Sequence, residues 1–170
     1  MQVSEILVAR AARRSDAAAI TAIYNQGIED RVGTFETEPR AVGQIEAWFD
    51  HAKAFVAVEN GAGDLVGYAV AHPYADRCCY SGIGEFSVYV RRDARGAGVG
   101  RVAMAALVEA ARTAGLWKLL SRVFPENRAS LNLMAHMGFK EIGLHEKHGK
   151  LDGVWRDCVI VERLIPENLD

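Results

Sequence analysis

The stretch RRDARGAGVGRVAMAALVEAAR, residues 91–112, joins clustered arginines to three glycines and then to an alanine-rich segment with helical spacing. The first turn of a helix has unpaired backbone N–H groups and the positive end of the helix dipole, so anions bind there readily. Glycine lets the backbone approach an anion closely and adopt positive φ angles without penalty. Gly96, Gly98 and Gly100 therefore predict a phosphate or pyrophosphate site at the start of this helix.

The two common nucleotide-binding loops match this glycine segment poorly. A Walker-type phosphate loop ends in Gly-Lys-Ser or Gly-Lys-Thr, whereas this segment continues as Gly100, Arg101 and Val102. A Rossmann site needs the spacing G-x-G-x-x-G in the first βα unit and an acidic residue about 20 positions later. Here the spacing is G-x-G-x-G, in mid-chain, with Leu119 and Leu120 near that acidic position. A strand-to-helix turn without a ligand stays open as an alternative.

The hydrophobic pattern predicts strands and helices along the whole chain, and these elements must hold the glycine segment in place. Strands are predicted at 6–11, 54–60, 64–74, 83–90 and 117–124, with two more within 140–164. Helices are predicted at 15–30, 41–52, 98–114 and 126–138, the last one ending at a glycine. This order predicts a mixed α/β or α+β class, without repeats, linkers or a second domain.

Length and composition narrow the class of protein further. The 170 residues, of which half are hydrophobic and a quarter charged, suit one globular domain spanning 1–170. A net charge of -2 argues against a nucleic-acid or membrane surface. Three cysteines, two of them adjacent, fit neither a disulfide framework nor a zinc site. With no signal-peptide pattern, we expect a cytoplasmic protein without a membrane span or a metal.

Two separated segments resemble the GCN5-related N-acetyltransferase (GNAT) superfamily. Arg95, Gly98 and Gly100, after the strand residues VYV at 88–90, are similar to that family's R-x-x-G-x-G/A acyl-CoA loop. The segment PENRASLNLMAHMGF, 125–139, resembles the family's second cofactor segment. The order of elements fits that family from end to end, and the resemblance covers nearly the whole chain. It implies the GNAT fold, a mixed and mostly antiparallel sheet with helices on both faces, and acetyl-CoA as the cosubstrate.

Three further stretches resemble the phosphinothricin, methionine sulfoximine and arsinothricin N-acetyltransferases of that superfamily. They are FETEP at 35–39, EFSVYV at 85–90 and HGKLDGVWRDC at 148–158, which resemble the phosphinothricin group. EFSVYV and WRDCVIVERLI, at 155–165, are still more similar to the arsinothricin enzymes. The resemblance implies acetyl transfer to the α-amine of a small glutamate- or methionine-like amino acid, directly within a ternary complex. It also implies a homodimer and a role in resistance to an antimetabolite. Acetylation of a protein N-terminus or a polyamine, and a non-catalytic acyl-CoA-binding module, stay open as alternatives.

The same resemblance assigns roles to individual residues. Glu85 matches the catalytic glutamate, which would take a proton from the acceptor ammonium; the alternative is an exposed strand glutamate that is unpaired or paired with an arginine. A backbone N–H near Val88 is the expected donor to the thioester oxyanion. Asn127 and Ser130 match contacts to the pantetheine arm, and either could also cap the following helix. The expected cofactor-binding residues are Val88, Tyr89, Val90, Arg95, Gly96, Ala97, Gly98, Val99, Gly100, Arg101, Asn127 and Ser130.

For the acceptor, the family pattern points to Phe35, Arg77 and Tyr80, with the guanidinium gripping a carboxylate, phosphinate or arsinate-like oxyanion. A lysine that other members carry is replaced here by Ala75.

The resemblance leaves the proton donor to the thiolate unassigned, because the residue at the expected position is Met134. His136, two positions on, is expected at the surface. His148 and Trp155 could close the acceptor pocket from a neighbouring subunit, although packing accounts for Trp155 more simply. Cys78 and Cys79 are expected to be small pocket or core residues.

Overall fold

The computed structural model describes residues 6–169. Its centre is a seven-stranded sheet with the strand order β1-β2-β3-β4-β5-β7-β6. The strands are β1 (Val8–Ala11), β2 (Ala54–Glu59), β3 (Leu65–Pro73), β4 (Ile83–Val90), β5 (Lys118–Val123), β6 (Lys140–Leu151) and β7 (Val154–Leu164). Every neighbouring pair is antiparallel except β4 and β5. The mixed, mostly antiparallel sheet implied by the family resemblance is confirmed.

Four α-helices cover the two faces of the sheet. They are α1 (Ala17–Asp30), α2 (Val42–Glu46), α3 (Val99–Thr113) and α4 (Arg128–His136). Ile20 and Ile45 of α1 and α2 pack in one buried cluster with Tyr68 of β3. Leu107 of α3 and Leu131 of α4 belong to the other cluster. Because the two clusters lie on opposite faces, the flanking helices predicted from the sequence are confirmed.

Two predicted helix ends show how packing adjusts the sequence pattern. The helix predicted over 41–52 ends as an α-helix at Glu46 and continues as the 3-10 turn Ala47–Asp50. In that turn, Trp48 packs edge-on against Tyr24, with ring centroids 5.4 Å apart. After α4, Gly138 takes φ of 79°. It serves as the predicted C-terminal glycine, since a left-handed residue there lets the chain leave the helix.

Strands β4 and β5 pair over a short distance only. Their parallel ladder ends at the pair Glu85–Leu120. Beyond it, β4 stays with β3 as far as the Gly67–Val90 pair, and β5 stays with β7 as far as Val123–Val159. The two strands therefore separate within one continuous sheet, because each keeps its other neighbour. This wedge positions the functional site.

Candidate functional site

The wedge between β4 and β5 opens into a cleft of about 560 Å³. Strands β4 and β5, the first turn of α3 with the loop before it, and helix α4 supply most of its wall, and the end of α1 with the loop after it supplies the rest. The wall includes Ser87, Val88, Tyr89, Val90, Arg95, Gly96, Gly98, Val99, Gly100, Arg101, Ser121, Arg122, Phe124, Asn127, Ser130, Leu133, Met134 and His136. The cleft thus brings together nearly all of the cofactor residues expected from the sequence. Ala97 lies in the same loop but outside the wall.

The backbone of β4 presents hydrogen-bonding groups to this opening. The carbonyl of Ile83 and the N–H of Arg91 face β3, where they bond Tyr74 and Val66. Successive residues of a strand turn their backbone groups to opposite edges, so the even-numbered residues face β5. Val88 and Val90 lie beyond the end of the β4–β5 ladder. Their backbone groups therefore point into the wedge, as a ladder edge for an extended ligand.

The glycine loop, residues 95–98 before α3, has the shape that the sequence predicts for an anion site. Gly96 and Gly98 take φ of 79° and 88°, and a Cβ built at either residue would meet no atom within 4 Å. Gly98 is the N-cap of α3 and supplies no side-chain cap. The first-turn N–H groups of α3 are thus left facing the cleft, where a phosphate oxygen could accept from them. Arg101 is exposed one turn further along the wall.

An ion-pair cluster holds the loop before α3 against the end of α1. Asp30 accepts from Arg92 at 2.8 Å and pairs with Arg95 at 2.6 Å. Burial acts to raise the pKa of Asp30, but the hydrogen bonds from both arginines outweigh it and lower that pKa. Arg95 Nε also donates to the carbonyl of Val90 at 3.3 Å. Arg95 is therefore fixed at the cleft wall by the protein itself.

Asn127 caps a helix, which is the structural role that the sequence left open beside binding of the cofactor. Its Oδ1 accepts from the N–H of Ser130 at 3.1 Å, which caps α4. Its Nδ2 donates to the carbonyl of Val32 at 3.1 Å. Asn127 therefore joins the start of α4 to the loop after α1, while both Asn127 and Ser130 still line the cleft.

At the apex of the wedge, Glu85 forms an ion pair with Arg122 of β5. The side chains are 38% and 32% exposed, respectively, so the pair is partly open to solvent although β4 and β5 are central strands of the sheet. Arg122 belongs to the cleft wall and Glu85 does not. The sequence allowed for an arginine partner of Glu85 without identifying Arg122. Only the register of β4 against β5 reveals that contact.

Phe35 lies in a small apolar cluster beside this pair. Its ring meets Phe124 edge-on, with centroids 4.9 Å apart, and the cluster also holds Leu151 and Cys158. Burial raises the pKa of the Cys158 thiol, and the charge of Arg122 opposes that rise. The cluster therefore combines residues from the loop after α1, the end of β5 and the β6–β7 hairpin within reach of Arg122.

The loop between β3 and β4 stays outside the cleft. Arg77 and Tyr80 are exposed there, and neither belongs to the cleft wall. Tyr80 meets Tyr74 edge-on at 5.8 Å. Cys78 and Cys79 are also exposed, so the expectation that they are pocket or core residues is wrong. The reason is local, because a 3-10 turn at Cys78–Tyr80 holds this loop on the surface.

The structure shows the surroundings of three further residues that the sequence analysis considered for the site. Met134 is buried in the core, while His136 is exposed, with Nδ1 2.7 Å from the carbonyl of Asn132. Trp155 is 53% exposed beneath Lys150, so packing within the chain does not account for it.

His148 is exposed and stacks on His145 with centroids 4.4 Å apart. Both rings lie on β6, the last strand of the sheet.

Tyr89 turns its ring to the face of the sheet that α1 and α2 cover. The ring stacks on Tyr68 and meets Tyr24 edge-on, and burial raises the pKa of its hydroxyl. The hydroxyl oxygen lies 3.2 Å from the carbonyl of Gly33, to which it donates. Tyr89 thus braces β4 against the loop after α1, beside the cleft that it helps to line.

Two kinds of feature are absent from residues 6–169. No helix in this range is long and apolar enough to cross a membrane. The same range holds no group of three or more His, Cys, Asp or Glu side chains placed to bind a metal ion.

Comparison with known proteins agrees with this geometry. The profile of the Acetyltransferase (GNAT) family matches residues 20–139. The chain is 32% identical over 153 residues to an L-methionine sulfoximine/L-methionine sulfone acetyltransferase of Pseudomonas paraeruginosa, covering 87% of this chain and 88% of the relative. It is 35% identical over 160 residues to the phosphinothricin N-acetyltransferase of Alcaligenes faecalis, covering 91% and 80%.

A solved structure extends the match to three dimensions. It is a GNAT superfamily phosphinothricin acetyltransferase from Sinorhizobium meliloti in complex with AcCoA, with a TM-score of 0.86 and 25% identity. The match covers 96% of this chain and 89% of that one. With the wedge, the glycine loop and these relatives in agreement, the chain belongs to the acetyltransferase (GNAT) family and is an acetyl-transferring enzyme with acetyl-CoA as its cosubstrate.

Proposed function

We propose that this enzyme acetylates the α-amine of a small glutamate- or methionine-like amino acid of the phosphinothricin, methionine sulfoximine or arsinothricin type. The observation that carries the proposal is the Glu85–Arg122 ion pair at the apex of the wedge, beside the apolar cluster around Phe35. It offers a carboxylate for an ammonium, a cation for an acidic group and an apolar wall. The names of the two curated relatives support the same acceptor class.

The described residues fit acetyl-CoA, which supplies the activated acetyl group when bound. The open edge of Val88 and Val90 would pair with the pantetheine arm as a short extra strand. The glycine loop and the first turn of α3 would hold the pyrophosphate, with Arg95 and Arg101 as charge partners. Asn127 and Ser130 would meet the far part of the arm. The N–H of Val88 would donate to the thioester oxygen as negative charge develops there.

Glu85 would act as the base in a direct transfer within a ternary complex. The amine of a free amino acid is protonated near pH 7, and it must lose that proton before it can attack a carbonyl carbon. Glu85 lies where β4 leaves β5, next to the proposed place of the thioester. It would take the proton directly or through one water.

No side chain at the expected position can protonate the departing thiolate. Met134 has no acidic proton, and it is 1% exposed within the core. His136 is exposed, with Nδ1 held against the carbonyl of Asn132. A CoA thiolate is a fair leaving group without protonation. We therefore infer that turnover does not depend on a general acid from α4.

The acceptor site would be completed by residues from several segments. Phe35 already lies beside the apex, in contact with Phe124. Arg77 and Tyr80 remain predictions, since they lie on the exposed loop between β3 and β4. We propose that they form the rim of the site on the side away from the cofactor. Arg77 would supply a second cation for the acidic groups of the acceptor from there.

We further propose that residues 1–170 form one catalytic domain that acts as a cytoplasmic homodimer, with no nucleic-acid or membrane partner. Strand β6 is at the end of the sheet, and Ile142 and Leu144 on it are about half exposed. An edge strand presents unpaired backbone groups that can pair with another chain, and these two side chains would add apolar contacts to that pairing. Light scattering after size exclusion should give twice the chain mass, and Leu144→Lys should halve it. A monomeric wild type would remove this part of the proposal.

The first test of function is thiol release from acetyl-CoA, measured with phosphinothricin, methionine sulfoximine, an arsenical analogue, glutamate and spermidine. We expect release with at least one of the glutamate analogues, and resistance to that antimetabolite in cells expressing the protein. Release with spermidine alone would support the polyamine alternative. Silence with all five, while acetyl-CoA still binds, would remove the proposed acceptor class.

A further inference from the structure

One side chain connects the proposed base with the cleft. Arg122 lies two residues beyond Leu120, the last β5 residue paired with β4, and its Nη1 donates to Oε1 of Glu85. Alternate residues of a strand share a face, so Arg122 lies on the same face of the sheet as Glu85. Because Arg122 lines the cleft and Glu85 does not, the guanidinium stands at the cleft edge beside the base.

The other carboxylates near Arg122 are engaged elsewhere. The charges of Asp157 and Glu126 raise the pKa of the Cys158 thiol, whereas the charge of Arg122 lowers it. All three charged groups therefore lie near Cys158. Asp157 accepts from the N–H of Lys147 at 2.7 Å, and Glu126 pairs with Arg156 at 3.6 Å. Among the described residues, Glu85 is the carboxylate that Arg122 contacts. An anionic ligand entering the cleft would therefore compete with Glu85 alone for this guanidinium.

The charges of this pair are complementary to those of a zwitterion. An amino acid carries an ammonium beside a carboxylate, and Glu85 and Arg122 carry the opposite charges beside each other. Both side chains are about one-third exposed, and a pair in that environment contributes little to stability, so separating it is not costly. Arginine can bind a carboxylate, phosphinate or arsinate through two parallel N–H donors.

We propose that Arg122 is the anion-binding residue of the acceptor site and that it exchanges Glu85 for the acceptor. The anionic oxygens of the acceptor take over the guanidinium, and Oε1 of Glu85 is freed to receive the acceptor ammonium. The inference rests on the proposed function and names the part of the acceptor that is recognised. Arg77, on its exposed loop, is then secondary to Arg122.

The exchange leads directly into the proton transfer. The ammonium gives one proton to the freed Glu85 carboxylate, directly or through a water, and becomes a neutral amine. The amine lone pair forms the N–C bond with the acetyl carbon, and the C–S bond breaks with its electron pair leaving on sulfur. The nitrogen then gives up a second proton to solvent or to that thiolate. Atoms and charges balance without any further reactant.

The test compares three variants on three acceptors. Arg122→Met removes the guanidinium, and Arg122→Lys keeps a cation without the forked donors. Lys118→Met is the matched control, because Lys118 lies on the same strand and face and is paired with Glu162 at 3.0 Å. The acceptors are L-phosphinothricin, L-methionine sulfone and L-methionine sulfone amide, which carry two, one and no anionic groups. Kinetics of thiol release are combined with calorimetric binding to the CoA-saturated protein.

We expect Arg122→Met to raise KM and Kd about 10- to 100-fold for an anionic acceptor, which corresponds to the loss of a hydrogen-bonded ion pair. Arg122→Lys should recover part of that loss. The amide should be unaffected. A rise for L-phosphinothricin alone would identify the side-chain anion as the group bound, and a rise for both amino acids would identify the α-carboxylate.

Three results would overturn the inference. If the wild type is active while Arg122→Met keeps its KM values, or shifts them no more than Lys118→Met, then Arg122 does not bind the acceptor and the proposed function is unaffected. If the wild type turns over none of the three acceptors, and neither methionine sulfoximine nor an arsenical analogue, the proposed function fails and this inference with it. A lower kcat with unchanged KM and Kd would assign Arg122 to positioning Glu85 instead.

Discussion

The two halves of the site are built in different ways. The cofactor half depends on backbone groups, with the open edge of Val88 and Val90 and the left-handed glycines before α3. The acceptor half depends on side chains, with Glu85 and Arg122 from two strands and Phe35 from a distant loop. A backbone-built site can serve one invariant ligand. A side-chain-built site can change its ligand through a few substitutions.

The two halves also come from different parts of the sequence. The cofactor half lies mainly in the continuous segment 88–101, with α4 as the second wall. The acceptor half takes residues from the loop after α1, from β4 and β5, and from the β6–β7 hairpin. Variants in one half should therefore leave binding of the other half's ligand unaffected.

The largest effect is expected at Glu85. Glu85→Gln keeps the shape of the side chain but removes the base, so kcat should fall by about 10²- to 10⁴-fold near pH 7. The Kd of acetyl-CoA should not change, because Glu85 lies outside the cleft wall. Stopped-flow thiol release and calorimetry measure the two quantities. Unchanged turnover would remove Glu85 from the mechanism.

A second variant tests the cofactor half alone. Gly98→Ala places a Cβ on a residue at φ 88°, where an L-residue is strained by ~1–2 kcal/mol. When the loop changes shape to relieve this strain, its backbone N–H groups point less well towards the pyrophosphate. Acetyl-CoA should therefore bind about tenfold more weakly, since a loss of ~1.4 kcal/mol of binding free energy raises Kd tenfold. The acceptor KM, measured at saturating acetyl-CoA, should stay constant.

Gly115→Ala is the matched control for Gly98. Gly115 follows the other end of α3, has φ of 79° and is equally free of neighbours within 4 Å of a built Cβ. It should therefore lose similar stability in urea unfolding while acetyl-CoA binds normally. Equal loss of acetyl-CoA affinity in both variants would show that the effect is general destabilisation of α3.

A third variant tests the acceptor half. In Gly149→Ala, the new Cβ would lie 2.8 Å from Cε1 of Phe35, so that ring must move from Phe124. A cost of ~1 kcal/mol to acceptor binding would raise the acceptor KM about fivefold. The Kd of acetyl-CoA should not change. Gly143→Ala is the control on the same strand, since its Cβ would approach only Ile160, at 3.8 Å. A changed acetyl-CoA Kd would contradict the separation of the two halves.

The smallest effect concerns the loop that carries Phe35. A hydrogen bond from Arg40 lowers the pKa of Glu36 from its usual 4.5, against the opposing effect of burial. A carboxyl group with a lowered pKa stabilises the fold above its unfolded pKa, and that stability is lost as pH falls below about 4.5. Glu36→Gln should therefore cost ~0.5–1 kcal/mol in urea unfolding near pH 7, and the difference should vanish in acid.

Glu38→Gln is the control for Glu36, because Glu38 is exposed in the same loop and makes no ion pair among the residues the structure describes. Its unfolding free energy should match that of the wild type near pH 7. A wild-type advantage over Glu36→Gln that persists unchanged in acid would show that the Arg40 pair does not stabilise this loop.

Much of the fold and of the cofactor half could be predicted, because both depend on local patterns. Strand β4 was predicted at 83–90 and lies at Ile83–Val90. The glycine loop was identified from positive-φ requirements that Gly96 and Gly98 fulfil. Cys78 and Cys79 were misplaced, since nothing in their immediate sequence indicates that their turn lies on the surface.

The sequence by itself determined the order of elements, the helix start that faces an anion and the family of the chain. The first two depend on hydrophobic period, glycine conformation and helix polarity, which act over a few neighbouring residues. The family was identified from the resemblance of two separated motifs, at 88–101 and 125–139. Only the tertiary structure decided that β4 and β5 part at Glu85, that Arg122 meets its carboxylate and that Phe35 lies beside them. Those contacts depend on the register of a parallel ladder and on the path of a loop, and both are set by packing across the whole sheet.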